Sequence, residues 1–380
     1  MIQCSTMKAS LSEKANVESI GETMDTKQVG NRMEPKKKVT MKDIAKYLNV
    51  DRTTVSKALA SIPGVSEQMK ERVNKAAEEL GYRKDNFASG LTTGKNSLLG
   101  IVLADIVRGV FAPLITNFQQ TAKSYNYGVI LQYVNPHSDD LVQAIDLLKQ
   151  QRVAGVTFVG GATEKKHDGL LIDLAESGVA VNTTRRDFIH NRIDSIRFDN
   201  KGAGRAATQY LLGLGHRNIA YLSKKAESGT EYERREGYLQ AMYEAELQPT
   251  LVEIKDHPVI TPGEEVTVSY RRMKEAWLEG LRPSAVIGAN DNYALGAMHA
   301  LKEEDVPIPD EVSVVGFDDL HAVLAVPQMT SLRMPTGPSG AVAVRLLMER
   351  LKQPERLHSR EVLEYDLIER ESTGKARSAD

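Results

Sequence analysis

Cysteine is almost absent from this sequence, and long apolar runs are absent altogether. The 380 residues contain a single cysteine, Cys4, so no intrachain disulfide can form. No stretch approaches the roughly 18 consecutive apolar residues of a membrane helix. The N-terminal segment lacks a basic start followed by an apolar core, so we expect no secretory signal. These absences predict a protein of the reducing cytoplasm.

The motifs of common catalytic and metal sites are also lacking. The sequence has no Gly-x-Ser-x-Gly elbow, no phosphate loop ending in Gly-Lys-Ser/Thr and no cysteine–histidine spacing for zinc. Asp318 and Asp319 could suggest a pair of catalytic acids, but neighbours along a strand point in opposite directions. We therefore expect no enzymatic activity, no cofactor and no metal.

Charge is nearly balanced in sum but uneven along the chain. The formal net charge is -2 at pH 7. Residues 36–97 carry 13 lysines and arginines against 7 aspartates and glutamates, whereas residues 98–380 carry 32 against 39. A basic head on an acidic body is the asymmetry expected when one end of a protein meets phosphate. The excess is modest, and chance is the alternative explanation.

The apolar pattern divides the chain into segments. Polar residues without periodicity fill 1–35, which indicates disorder or sequence upstream of a later start at Met33 or Met41. Apolar runs that alternate with amphipathic helices, such as VILQYV and DLVQAIDLLKQQR, begin at Leu98 and recur after residue 215. This rhythm predicts parallel sheets covered by helices, in two lobes with a cleft between them. We predict a disordered extension (1–35), a helix-turn-helix head (36–84), a hinge (85–97), a two-lobed body (98–370) and a flexible tail (371–380).

Three short helices are predicted in the head. Thr40 and Asp43 fit the capping box of a first helix. Ser66 fits the N-cap of a third helix that stops at Gly81. A tight turn joins the first helix to the second, and this arrangement is typical of a helix-turn-helix domain.

The second helix of the head has one apolar and one polar face. Val55, Ala58 and Leu59 follow a helical spacing that predicts burial. In a helix-turn-helix, the polar face enters the major groove, where arginine pairs with guanine edges and threonine offers a hydroxyl or a methyl group. A generic three-helix bundle with a solvated polar face is the alternative. The residues assigned to DNA contact are Arg52, Thr53, Thr54, Ser56 and Lys57, with Thr40 at the start of the first helix.

More than 40 residues of the head carry a set of motifs in fixed order. The segment VTMKDIAKYLNVDRTTVSKALASIPGVSEQMKERVNKAAEELGY contains Thr-x-x-Asp-Ile-Ala, Val-x-x-x-Thr-Val-Ser-x-x-Leu, Val-Ser and Leu-Gly-Tyr. In these motifs the head resembles the LacI/GalR family of bacterial transcription repressors. The resemblance implies that Arg52, Thr53 and Lys57 contact bases.

The resemblance also implies a role for the hinge. In the family, this segment folds into a short helix only on operator DNA, and leucines from the two hinges of a dimer kink the minor groove. Leu91 falls at the wedge position and is therefore a predicted DNA contact. A flexible tether with Leu91 packed on the body is the alternative. The chain departs from the family at Lys84-Asp85, where Pro-Asn is usual, and at Ser89 and Gly90, which weaken the hinge helix.

The body resembles the effector domain of the same family and the periplasmic sugar-binding proteins. Its strongest match is the block GANDNYALGAMHALKEEDVPIPDEVSVVGFDD. The resemblance implies two doubly wound lobes around a ligand cleft and assigns Arg234, Asn290 and Asp318 to the effector. Asn290 and Asp318 also end apolar strands, where such a cleft opens and where their side chains could grip hydroxyl groups. We expect Asp291 to cap a helix instead.

Two further residues are assigned to the effector site. Phe111 follows the first strand of the body and could stack on the apolar face of a ring, with ordinary core packing as the alternative. Arg186 belongs to an Arg185-Arg186 pair where the family often has Asp-Arg. A second cation at the cleft edge would favour an anionic ligand such as a sugar acid or a sugar phosphate.

The resemblance implies a homodimer that binds a palindromic operator, with half-sites about one helical turn apart. Binding of a sugar or sugar derivative would change the angle between the lobes and hence the affinity for DNA, and linkage makes both affinities change by the same factor. Whether the effector is an inducer or a corepressor stays open, and no terminal heptad repeat suggests a tetramer. The alternatives are a sugar-sensing module that relays to a partner protein and a transporter's solute-binding protein. We expect a cytoplasmic, nucleoid-associated protein without a membrane partner.

Overall fold

The computed structural model describes residues 39–59, 63–82, 97–104, 109–135, 140–160, 165–184, 188, 190–227, 229–254 and 263–377. They fall into two compact units that meet in the sequence at Asp85 and Asn86. The described part of the first unit is the head, and that of the second is the body. Leu91, Arg185 and Arg186 lie outside the described residues.

The described part of the head contains three short helices, as predicted. They are α1 (Met41–Leu48), α2 (Arg52–Leu59) and α3 (Glu67–Glu79). The capping box of α1 is confirmed, because the Asp43 carboxylate accepts hydrogen bonds from the Thr40 backbone N–H at 2.8 Å and from the Thr40 hydroxyl at 2.7 Å. Ser66 caps α3 by accepting from the Met69 N–H. These caps satisfy backbone donors that a helix of two or three turns would otherwise expose.

Apolar residues from all three helices form the core of the head. Ile44, Val55 and Val73 are completely buried, one from each helix. Asn49 takes a left-handed conformation (φ 53°) and turns the chain sharply between α1 and α2. Since asparagine is among the few residues that adopt this conformation at low cost, the turn is set locally by the sequence.

The body alternates strands and helices along its whole length. In chain order its elements are β1 (Leu98–Leu103), α4 (Ala112–Ser124), β2 (Gly128–Tyr133), α5 (Asp140–Gln150), β3 (Gly155–Val159), α6 (Asp168–Glu176), β4 (Ala180–Thr184), β5 (Ile193–Phe198), α7 (Asn200–Gly213), β6 (Ile219–Lys224), α8 (Thr230–Glu244), β7 (Thr250–Ile254), α9 (Glu264–Leu278), β8 (Ala285–Gly288), α10 (Asp291–Glu303), β9 (Ser313–Asp318), β10 (Thr330–Arg333), α11 (Thr336–Lys352), β11 (Arg360–Leu363) and β12 (Asp366–Ile368).

The strands of the described part of the body form two six-stranded sheets, and each sheet is the centre of one lobe. The first has the order β11-β5-β4-β3-β1-β2 and is parallel throughout. The second has the order β12-β10-β9-β8-β6-β7 and is parallel except for the edge pair β10–β12. Apolar clusters lie on both faces of each sheet. The predicted head and doubly wound lobes are thus confirmed.

The lobes are not two successive halves of the chain. After β10 the chain returns to the first lobe, where α11 packs on α4 and β11 pairs with β5. It then returns to the second lobe at β12. Within the described residues, three connections therefore join the lobes: the first at Asp199, the second at residues 334–335 and the third at residues 364–365.

Glycines allow three helix pairs to approach closely. A Cβ on Gly237 of α8 would lie 2.0 Å from the Lys201 carbonyl oxygen of α7, and one on Gly204 would lie 1.9 Å from the Arg234 carbonyl oxygen. Gly296 and Gly340 occupy equivalent crowded positions in the α9–α10 and α4–α11 pairs. At these four positions any side chain would collide with a neighbouring helix.

The prediction of a flexible tail over 371–380 is wrong for residues 371–377. Ser372 is completely buried, and its hydroxyl donates to the Val314 carbonyl at 2.6 Å and accepts from the Thr330 N–H at 2.9 Å. The ring of His216 contacts the Gly374 carbonyl at 3.0 Å, and burial lowers the pKa of this histidine. Residues 371–377 are held in place because hydrogen bonds join this segment to strands β9 and β10.

Candidate functional site

The second helix of the head presents the face that the sequence predicted. Val55 and Ala58 of α2 are buried in the head core. Arg52, Thr53, Ser56 and Lys57 are exposed, and Thr54 is partly exposed. Within the described part of the chain, no carboxylate forms an ion pair with Arg52 or Lys57, which leaves both cations available to an external anion.

A cavity opens between the two lobes of the body. Arg234, Asn290 and Asp318, all assigned to the effector from the sequence, come together in its wall. Asn290 and Asp318 lie at the carboxyl ends of β8 and β9, which is where open parallel sheets bind their ligands. The described lining residues are Val110, Thr230, Glu231, Arg234, Asn290, Asp291, Asn292, Asp318, Leu320, His321 and Met334.

Arg234 is the most constrained charged residue of this wall. Its side chain is 1 % exposed, and its guanidinium donates to the Asp318 carboxylate at 2.5 Å, to the Ala289 carbonyl at 2.7 Å and to the Tyr365 hydroxyl at 3.0 Å. It also lies over the Phe317 ring, 4.6 Å from the centroid. Burial lowers the pKa of Arg234, but Asp318 and Tyr365 together raise it by more, so the residue stays charged.

The two consecutive acids at the end of β9 point to different partners. Asp318 reaches Arg234 and the cavity, whereas Asp319 forms ion pairs with Arg333 at 2.8 Å and Arg370 at 2.6 Å. Both backbones have positive φ, 93° for Asp318 and 54° for Asp319. Strain of this kind persists where surrounding contacts enforce it. The expectation that these neighbouring side chains do not point the same way agrees with their different partners.

Asn290, and not Asp291, caps the helix that follows β8. The Asn290 side-chain oxygen accepts from the N–H groups of Asn292 at 2.9 Å and Tyr293 at 3.1 Å. The predicted capping role of Asp291 is therefore wrong, because Asp291 is already the first residue of α10. With its oxygen occupied, Asn290 offers only its amide N–H₂ to a ligand.

Asp291 instead anchors the loop after β9. One of its carboxylate oxygens accepts from the N–H groups of Leu320 at 2.7 Å and His321 at 3.1 Å, and the other accepts from the Ser331 hydroxyl at 2.7 Å. Burial, helped by repulsion from Asp318, raises the pKa of Asp291 to about 7. Sequence reasoning missed this role, since nothing local connects Asp291 with residues 320 and 321.

The sequence analysis also did not predict a role for His321. Its Nδ1 meets the Asn292 side-chain oxygen at 2.8 Å. An amide oxygen can only accept, so Nδ1 carries the proton and, in the neutral ring, Nε2 is left as an acceptor. His321 therefore adds an acceptor to the wall of the cavity.

Phe111 does not take the predicted position in the ligand site. It is 2 % exposed and packs in the core of the first lobe, while its neighbour Val110 lines the cavity. A ring buried to this extent has no free face on which a ligand could stack. The alternative of ordinary core packing holds for Phe111.

The described residues contain neither a group of histidine, cysteine and acidic side chains suited to a metal ion nor a helix of the length and apolarity that a membrane span requires.

Comparison with family models identifies matches in both units. The model of bacterial regulatory proteins of the lacI family matches residues 40–85, and that of the periplasmic binding protein-like domain matches residues 208–373. The transcriptional regulator RegA of Clostridium saccharobutylicum is 30 % identical over 338 residues, which cover 88 % of this chain and 99 % of that protein.

Solved structures show the same architecture. A complex of the transcriptional regulator CelR with cellobiose is 25 % identical, with a TM-score of 0.61 over 88 % of this chain and all of that chain. The lac repressor dimer bound to operator and the anti-inducer ONPF is 23 % identical, with a TM-score of 0.71 over 89 % of this chain and all of that chain. The second likeness is one of fold.

Proposed function

Because the chain belongs to the lacI family of bacterial regulatory proteins, we propose that it is a repressor that binds its operator as a homodimer and is controlled by a hydroxyl-rich effector. The head supplies the DNA contacts, and the cavity between the lobes binds the effector. Its place of action is the bacterial cytoplasm, on the DNA of the nucleoid.

The DNA-binding part of the proposal depends on the exposed face of α2. Arg52, Thr53, Ser56 and Lys57 are exposed on a helix whose other side is fixed by Val55 and Ala58 in the core. A helix held in this way can enter the major groove without rearrangement. We assign Arg52, Thr53 and Lys57 to bases, Thr54 and Ser56 to phosphates, and Thr40 to the backbone near the start of α1. Leu91 is proposed as the minor-groove wedge from its sequence position alone.

Selection from random DNA followed by fluorescence anisotropy tests this assignment. The protein should select a palindrome and bind it with a steep salt dependence. Arg52→Ala should cost about 1–3 kcal/mol and relax the choice at one base pair of each half-site. Arg72→Ala removes the same charge from the exposed side of α3 and is the matched control. Failure to bind DNA at any salt concentration would favour the sugar-sensing alternative.

The cavity wall indicates what kind of effector it accepts. The carboxylates of Glu231 and Asp318 line it, the Asp291 carboxyl is already engaged by three internal hydrogen bonds, and the cation Arg234 is paired with Asp318. His321 Nε2 adds an acceptor, and Asn290 adds a donor. Such a wall suits the many O–H donors of a neutral sugar and repels an anion. The CelR–cellobiose complex, a relative with a neutral disaccharide, supports the same class.

A thermal-shift screen with matched pairs tests the effector class. The panel is cellobiose, D-ribose, D-glucose with D-gluconate, and D-galactose with D-galacturonate. We expect a neutral member to raise the melting temperature by mass action and its acid to have less effect. The Arg185-Arg186 hypothesis predicts the reverse order, and Arg186→Ala should then abolish binding of the acid. Asp318→Asn should weaken binding of the neutral sugar, whereas Asp366→Asn, a control at an exposed position, should leave that binding unchanged.

A further inference from the structure

Tyr365 lies in the third connection between the lobes and joins the cavity wall to the first connection. Its hydroxyl is 3.0 Å from a guanidinium nitrogen of Arg234 and 2.6 Å from the side-chain oxygen of Asn200. Its ring makes an edge contact with Phe198, with centroids 6.5 Å apart. The Arg234 guanidinium also lies over this ring, 5.4 Å from its centroid, so a change that removes only the hydroxyl keeps both ring contacts.

The direction of every hydrogen bond in this chain of contacts is fixed. Arg234 can only donate, so the Tyr365 oxygen accepts from it and gives its single proton to Asn200. The Asn200 amide nitrogen in turn donates to Glu233 at 2.7 Å, and the other oxygen of Glu233 accepts from Arg197 at 2.6 Å. No alternative proton arrangement satisfies the same groups, so a shift at one end either moves the next group or breaks a bond.

The ends of this chain of contacts lie in different parts of the body. Asp318, at one end, belongs to β9 of the second lobe and faces the cavity, and Arg197, at the other, belongs to β5 of the first lobe. The first connection also contacts the strand that leads into the third, because the Asp199 N–H donates to the carbonyl of Leu363, the last residue of β11, at 2.9 Å. The chain therefore runs from the ligand site to two of the three connections about which the lobes can move.

We propose that the Tyr365 hydroxyl is a positioning group that transmits occupancy of the cavity to the connections between the lobes. The inference rests on the proposed function, in which an effector alters DNA affinity. Tyr365 does not line the described cavity and acts through Arg234 and Asn200. Its loss should uncouple the two binding events without removing either one.

Amide hydrogen exchange in the full-length protein, measured without any effector, tests whether the Tyr365 hydroxyl couples Asp318 to the first connection. We follow the Asp199 amide in wild type, Tyr365→Phe, Asp318→Asn and the double variant. Each single variant should speed its exchange about tenfold, as expected for the loss of one buried hydrogen bond, and the double variant should be no faster than either. Tyr210→Phe is the matched control, because it removes a partly buried hydroxyl bound to Thr373 elsewhere in the second lobe.

The functional measurement is the ratio of operator dissociation constants with and without the panel sugar that most raises the wild-type melting temperature. The dissociation constant of Tyr365→Phe for that sugar should lie within about threefold of the wild-type value. The ratio of operator dissociation constants, which in such systems is about 5- to 150-fold, should fall most of the way to one in this variant. Multiplicative effects of Tyr365→Phe and Asp318→Asn on exchange, or undiminished coupling in Tyr365→Phe, would overturn the proposal. Absence of coupling in wild type with every panel sugar would instead refute the proposed effector class, and the exchange result would still decide the role of Tyr365.

Discussion

The buried carboxyl of Asp291 should give this protein an unusual dependence of stability on pH. Asp291 is 2 % exposed, and burial together with repulsion from Asp318 raises its pKa from 3.8 to about 7. A raised pKa means that the folded state holds a proton that the unfolded chain releases. The stabilisation is therefore fully present below pH 3.8 and is lost as the pH rises through about 7.

The size of the effect follows from the shift. Each pKa unit corresponds to about 1.4 kcal/mol, so the contribution of Asp291 should fall by about 3 kcal/mol between pH 5 and pH 8. Asp291→Asn keeps an oxygen for the N–H groups of Leu320 and His321 but cannot titrate. The free energy of unfolding of wild type, relative to this variant, should therefore be about 3 kcal/mol more favourable at pH 5 than at pH 8.

Urea unfolding monitored by circular dichroism at a series of pH values measures this difference. Asp366→Asn removes an exposed carboxyl from β12 and should leave the wild-type pH profile unchanged. Parallel profiles for wild type and Asp291→Asn would refute the reasoning, since they would mean that Asp291 ionises in the folded state as it does in the unfolded chain.

Three further predictions concern packing, the C-terminal segment and capping. Gly237→Ala should destabilise the body by about 2–3 kcal/mol, because its Cβ would lie 2.0 Å from the Lys201 oxygen. Gly213→Ala, on α7 with no described atom within 4 Å of its Cβ, should instead be neutral or stabilise by up to about 1 kcal/mol, and thermal melting compares the two. Deleting 372–380 should cost about 3 kcal/mol in urea unfolding, through the lost buried bonds of Ser372. Asp43→Ala should lower the stability of the head by about 1 kcal/mol, measured by its helical ellipticity on heating.

Features of the head that depend on a few consecutive residues could be predicted from the sequence. The capping box at Thr40, the cap at Ser66 and the burial of Val55 each depend on neighbours within one or two turns. The alternation of strands and helices in the body is equally local, and it was enough to predict two parallel sheets. Asn290 and Asp318 could be placed at the cavity because strand ends in such sheets converge.

Contacts between distant segments could not be predicted. The return of α11 to the first lobe depends on how its apolar face fits α4, and its periodicity alone is equally compatible with either lobe. The place of Phe111 was predicted wrongly for a related reason, since an aromatic residue after a strand can turn toward a cleft or toward a core. The anchoring of residues 320 and 321 by Asp291 joins positions about 30 apart, and no local pattern carries that information.

The opposite orientations of Asp318 and Asp319 bear on how the cavity can respond to an effector. Asp319 is held by two arginines and by the hydrogen bond that its own N–H donates to the Ser331 hydroxyl oxygen at 3.1 Å, and the next two residues are held by Asp291. A backbone with two positive φ angles, fixed from both sides, is preorganised and has little freedom to rearrange when a ligand arrives. The backbone of residues 318–321 should therefore remain in place on binding, and an effector would act through the Asp318 side chain. Under the proposed function, the response to an effector must then follow the contacts that lead away from Asp318 and Arg234 toward the connections between the lobes.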